Sequence, residues 1–142
     1  MTLGAGVNGT IPSQGYADIS GGTLVVSNKL LASQNGSCNW KQTGGNVWVG
    51  SGGVVFGLGV YSVVDALFDG ADTIFTTPGE IYLASGNGSV STLTQKNGAL
   101  TASIFNLASK SNAVARYDLE GGSLSVSNIL RVGQGGFGTF EQ

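Results

Sequence analysis

A chain of 142 residues with 8 acidic and 6 basic side chains, no His and one Cys is a single domain in size, 1–142. A net charge of −2 with no Lys/Arg cluster argues against nucleic acid as a partner, and no apolar run approaches the ~18 residues of a membrane-spanning helix. Glycine is frequent, 25 of 142, yet 41% of residues are apolar and regularly placed, which excludes disorder. Two prolines and no three-residue period exclude collagen.

Taken in chain order, the sequence divides into units that open near residues 17, 40, 67, 93, 117 and 140. The opening residues are Ala17 (with Tyr16 beside it), Trp40, Leu67, Leu93, Tyr117 and Phe140. Their spacings are 23, 27, 26, 24 and 23 residues. A period of about 25 residues marks a solenoid, and is too short for a four-stranded propeller blade. The segment from Leu3 to Ile11 overlays Val132 to Phe140, so incomplete coils are expected at both ends.

Within each unit a turn pair comes first: Gly21-Gly22, Gly44-Gly45, Ala71-Asp72, Asn97-Gly98 and Gly121-Gly122. An apolar column follows, Leu24, Val47, Ile74, Leu100 and Leu124, and a second one, Val26, Val49, Thr76, Ala102 and Val126. Then come the pairs Leu30/Ala32, Phe56/Leu58, Ile81/Leu83, Phe105/Leu107 and Leu130/Val132, and the small residues Ser33, Gly59, Ala84, Ala108 and Gly133. Each unit thus holds three short stretches that alternate with period two, the mark of strands. Strands this short gain stability only by stacking on their equivalents in the next unit. The expected fold is all-β: a parallel β-solenoid (β-helix), right-handed, with five to six coils and three strands per coil. The apolar columns should point inward, and the extra residues of 50–80 should leave the stack as bulges and the longest loop.

Candidate chemistry is sparse. Gly4, Gly6, Gly9 and Gly133, Gly135, Gly138 match the spacing of a dinucleotide loop, but no helix is expected after either, so they read as turns and no cofactor is expected. Asp65, Asp69, Asp72 and Glu80 fall in one unit, where a glycosidase would need two facing carboxyl groups. Their spacing gives no reason to converge. Asp69-Gly70-Ala71-Asp72 lacks the fuller ligand series of a calcium loop, so no metal is expected. Cys38 occupies a small-residue slot read as a turn, and the chain has no His to activate a thiol. Asn8-Gly9-Thr10, Asn35-Gly36-Ser37 and Asn87-Gly88-Ser89 match the glycosylation pattern, but Asn-Gly is first a turn dipeptide. Gln42, Gln95 and Gln142 share one slot, with Asp69 and Leu119 between, and would form an interrupted amide ladder. The bulky column from Trp40 to Phe140 is expected in the core, with exposed stacking on sugar rings as its functional alternative.

The strings Gly121-Gly122-Ser123-Leu124-Ser125-Val126, Leu130-Arg131-Val132-Gly133 and Gly136-Phe137-Gly138-Thr139-Phe140-Glu141-Gln142 resemble the β-strand repeats of bacterial autotransporter-like and PEP-CTERM-associated surface proteins. The resemblance covers nearly the whole chain and is weakest from Leu67 to Leu93. It implies an extracellular or cell-surface β-helix in a stalk or adhesin, and carries over no catalytic residues. The function expected is therefore structural and not enzymatic: a self-associating solenoid stacked head to tail into a fibre, stalk or adhesin. The alternative is a carbohydrate-binding or carbohydrate-cleaving module with a glycan as partner, read from Trp40, Trp48 or Tyr82. An ice-binding face would need one Thr column through every unit, which Thr76, Thr77 and Thr94 do not make.

Overall fold

The computed structural model describes residues 1–5 and 13–142. In chain order the strands are β1 (Thr2–Ala5), β2 (Ser13–Ile19), β3 (Thr23–Val26), β4 (Lys29–Gln34), β5 (Gly36–Gln42), β6 (Asn46–Val49), β7 (Gly53–Phe56), β8 (Val63–Phe68), β9 (Ile74–Thr76), β10 (Glu80–Leu83), β11 (Val90–Gln95), β12 (Ala99–Leu107), β13 (Val114–Leu119), β14 (Ser123–Val132) and β15 (Phe137–Glu141). The described residues form no helix, and these strands pair in parallel, each on its equivalent one coil away. The chain is a parallel β-solenoid of about five turns.

Three faces wind in turn. Face 1 is the six-stranded sheet β2, β5, β8, β11, β13 and β15. Face 2 contains β3, β6, β9 and the first halves of β12 and β14; face 3 contains β1, β4, β7, β10 and the second halves of β12 and β14. Faces 2 and 3 belong to one nine-stranded sheet that runs round the corner through β12 and β14, where the register shifts between Ala102 and Ile104. The faces meet in a shared core. Trp40 of face 1, Phe75 of face 2 and Phe56 of face 3 converge there, with ring centroids 5.9, 6.3 and 6.5 Å apart. Trp40 packs edge-on against both phenylalanines, which adds to the burial of the rings.

The third unit corrects the register read from the sequence. Leu93 stacks on Ala66, not Leu67, and Phe68 stacks on Gln95, where Asp69 was expected. Phe75 takes the core column next to Val47 and Leu100, while Ile74 faces outward and is 45% exposed. Thr77, fully buried, lies one residue beyond the outward Thr76, so Thr76 is not a core position. The cause is a five-residue connection, 69–73, where the equivalent corners 43–45 and 96–98 have three. Leu67-Phe68 and Ile74-Phe75 are apolar on both parities, so the alternation alone did not distinguish the two registers. In the coil before, Val54/Phe56 form the core pair instead of Phe56/Leu58, and Gly57 replaces Gly59 in the corner column.

That column is Ser33, Gly57, Ala84, Ala108 and Gly133, all left-handed at φ 68, 83, 56, 54 and 73°. Two alanines and a serine hold a conformation that costs a non-glycine residue roughly 1–2 kcal/mol. The stacked strands on either side impose it coil after coil. The connection that it opens is six residues long in three successive coils, 57–62, 84–89 and 108–113. The longest described loop is therefore a repeated corner and is not confined to 50–80. Ser62 and Ser89 close these corners alike, their hydroxyls donating to Gly59 and Gly86 carbonyls at 2.9 and 2.7 Å.

Cys38 lies inside β5, stacked on Val64 and Gly15 and buried, instead of in a turn. The glutamines also differ from expectation. Gln42 and Gln95 point into the core but are separated by Phe68, and no amide ladder forms. Each instead fastens a corner to the next coil. Gln42 Nε2 donates to Gly45 O at 3.0 Å and Ile74 O at 3.2 Å; Gln95 Nε2 donates to Gly98 O at 3.1 Å and Ser123 O at 3.0 Å.

Candidate functional site

The acidic residues of the third unit do not converge. Asp65 stands outward on face 1, Asp69 and Asp72 lie in the 69–73 corner, and Glu80 opens β10 on face 3. Among the described residues no group of three or more His, Cys, Asp and Glu side chains could hold a metal. Gly133 and Gly135 sit in the corner between β14 and β15 and Gly138 in β15, so a strand follows where a dinucleotide site needs a helix. Gly6, Gly9 and the Asn8 sequon lie outside the described residues. In the Asn87 sequon, Ser89 is buried and its hydroxyl is held by Gly86 on both sides, as a turn residue.

The aromatic candidates divide by exposure. Trp40 and Tyr117 are fully buried, so neither can stack on a sugar ring. Trp48 is 41% exposed on face 2, and Tyr82 is half-buried on face 3. Tyr82 belongs to a polar row across three coils. Asn106, itself buried, donates to Glu80 Oε2 at 3.3 Å and accepts from Arg131 Nη1 at 2.9 Å. The hydrogen bond to Glu80 raises the Tyr82 phenol above its ordinary pKa. A similar row on face 1 links Arg116 to Asp118 at 2.7 Å and Glu141 at 2.8 Å, exposed pairs of small energetic weight.

Charge is distributed unevenly among the faces. Face 1 carries Asp18, Lys41, Asp65, Arg116, Asp118 and Glu141, and face 3 carries Lys29, Glu80 and Arg131. The outward positions of face 2 read Thr23 and Val25, Asn46 and Trp48, Ile74 and Thr76, Ala99 and Thr101, Ser123 and Ser125. None is charged. Where face 2 turns into face 3, Trp48, Thr76, Thr77, Pro78, Thr101, Ala102, Ser103 and Ser127 enclose an open groove of about 520 Å³. A second depression, about 400 Å³, lies on face 1 between Tyr16, Lys41, Asp65 and Lys96. Sequence reasoning named Trp48 but not Thr101, Ser103 and Ser127 beside it. The outward column Val25, Trp48, Thr76, Thr101, Ser125 was readable by parity, had the third unit been in register.

Phe105, Leu107 and Tyr117 are fully buried, yet their stacking partners one coil on, Leu130 and Val132, are 39% and 47% exposed, and Phe140 is partly exposed. No helix is long and apolar enough to cross a membrane among the described residues. Comparison with protein-family models, with curated proteins and with solved structures finds no match.

Proposed function

We propose that this chain is a structural module of a bacterial exterior, a non-enzymatic unit of a fibre, stalk or adhesin that lengthens by stacking coil on coil. One observation carries the reading. The last coil presents Leu124, Val126, Leu130, Val132 and Phe140, the continuation of columns that are buried one coil earlier. Exposed strand backbone beside exposed apolar columns is a template for another strand.

The partner is a second copy, joined head to tail. Its β1 and β2 add to β14 and β15, extending faces 3 and 1. Faces 1 and 3 carry six described rungs and face 2 five, so such a junction leaves face 2 one rung short. The contact is heterologous and propagates into a filament unless it closes a ring. With rungs about 4.8 Å apart, six of them set a rise of roughly 29 Å per copy.

Light scattering across a micromolar-to-millimolar series tests this. Molar mass should climb with concentration, and Leu130→Lys with Val132→Lys should return the chain to monomer without loss of β circular dichroism. A monodisperse monomer at every concentration overturns the reading.

A further inference from the structure

We infer that face 2 binds a neutral polysaccharide, with Trp48 as the platform for a sugar ring. The inference is independent of the stacking of copies.

The charge distribution sets the class of ligand. The chain has 14 charged residues, 8 acidic and 6 basic, and none stands on an outward position of face 2. The groove at its edge is lined without an ionisable side chain. An anionic ligand, whether nucleic acid or acidic glycan, would find no counter-charge there. What the groove does offer is a flat aromatic surface and hydroxyls. Trp48 is exposed on its outer side, and Thr76 and Thr101 follow it on the next two strands, one strand spacing apart. Ser103 and Ser127 line the same groove across the corner.

The hydroxyls are available. Thr77, which is buried, uses its hydroxyl inside the protein, donating to Gly50 O and accepting from Gly79 N–H at 3.1 and 3.0 Å. Among the described residues, Thr76, Thr101, Ser103 and Ser127 make no side-chain hydrogen bond, and each can both donate and accept. A pyranose ring has the matching chemistry: an apolar C–H face for the indole, and equatorial hydroxyls at its edge. The groove's volume is within the ordinary range for ligand sites, and it is open, as an internal stretch of a polymer requires. Its rim strands are rigid parts of the stack, so little ordering cost opposes binding. Trp48 also breaks the flatness that an ice-binding face needs.

The test is native gel electrophoresis in gels cast with hydroxyethyl cellulose, soluble starch, dextran or galactomannan, with polygalacturonate as the charged control. At least one neutral polymer should retard the protein and polygalacturonate should not. Trp48→Ala should weaken the retardation roughly tenfold or more, as for a buried aromatic anchor, and Trp48→Phe should restore part of it. In parallel, the polymer should shield Trp48 from acrylamide quenching in a Trp40→Phe background. Absence of retardation by all four neutral polymers overturns the proposal, as does full retardation of Trp48→Ala. A Trp48→Ala variant that changes molar mass but never polymer mobility also overturns it, by making face 2 a contact between copies. Failure of copies to stack would leave retardation intact, so the two readings fail separately.

Discussion

The Tyr117 hydroxyl donates to Gln95 Oε1 across 2.5 Å, inside the core. Both residues are fully buried, and the bond completes the polar requirements of both. Gln95 reaches the Gly98 and Ser123 carbonyls through Nε2, so one side chain ties face 1, its own corner and the next coil together. Gln42, in the same column two coils earlier, makes the two carbonyl bonds but its Oε1 has no partner. Burial raises the Tyr117 phenol well above its ordinary pKa, so it remains a donor throughout the neutral range.

Gln95→Leu should therefore destabilise more than Gln42→Leu. Losing three buried hydrogen bonds, with a Tyr hydroxyl left unpaired, should cost about 2–4 kcal/mol. Tyr117→Phe alone should cost about 1 kcal/mol. Urea titration of the two single variants and the double variant measures the coupling; additive effects would show that the pair is not energetically linked.

Leu100 and Leu124 stack directly, but only Leu100 is fully covered. Leu100→Ala should cost about 2–5 kcal/mol, and Leu124→Ala less than half of that in dilute solution, where its side chain is partly exposed. If copies stack, the cost of Leu130→Ala, in the face 3 column that the next copy's β1 extends, should grow with protein concentration, because association stabilises the folded chain. A cost that does not depend on concentration contradicts stacking.

Gly98 turns the corner into β12 at φ +81°, and an added Cβ would meet the backbone of Thr73 and Gly70. Gly98→Ala should lose more than about 2 kcal/mol, combining left-handed strain with a clash against backbone that cannot move aside. Gly22 is also left-handed, at φ +75°, but has open space around it, so Gly22→Ala should lose only the strain term, about 1 kcal/mol. Equal thermal shifts for the two variants would contradict the packing explanation.

Burial pushes the Cys38 thiol from 9.0 up to about 11. In the unfolded chain the thiol ionises near its ordinary value, while the folded chain keeps it protonated. Its contribution to stability is complete below pH 9.0 and is lost as pH rises to about 11. Urea midpoints measured from pH 8 to 11 should fall in the wild type. Cys38→Ala should flatten that fall, and an unchanged slope would show that the thiol is solvated. The folded thiol should also resist iodoacetamide at pH 8, because the thiolate is the reacting form.

The architecture was legible in the sequence because a solenoid is built from local repetition. The period of about 25 residues, the turn pairs at Gly21-Gly22 and Gly121-Gly122, and the inward columns through Leu24 and Val47 each state where a strand begins and which side faces in. The tertiary structure decided what repetition left open. It placed Ala66 and Phe75 in the core columns in place of Leu67 and Ile74, because apolar residues on both parities satisfy either register locally and only the stacked neighbours choose between them. It turned Gln42 and Gln95 from a ladder into corner fasteners, since the residue between them is Phe68. It separated buried Trp40 from exposed Trp48, two residues of one type whose difference is the face to which each strand turns them. The neutrality of face 2 was likewise invisible along the chain, where charged and uncharged residues follow one another within every coil; it exists only once winding gathers every third strand onto one surface.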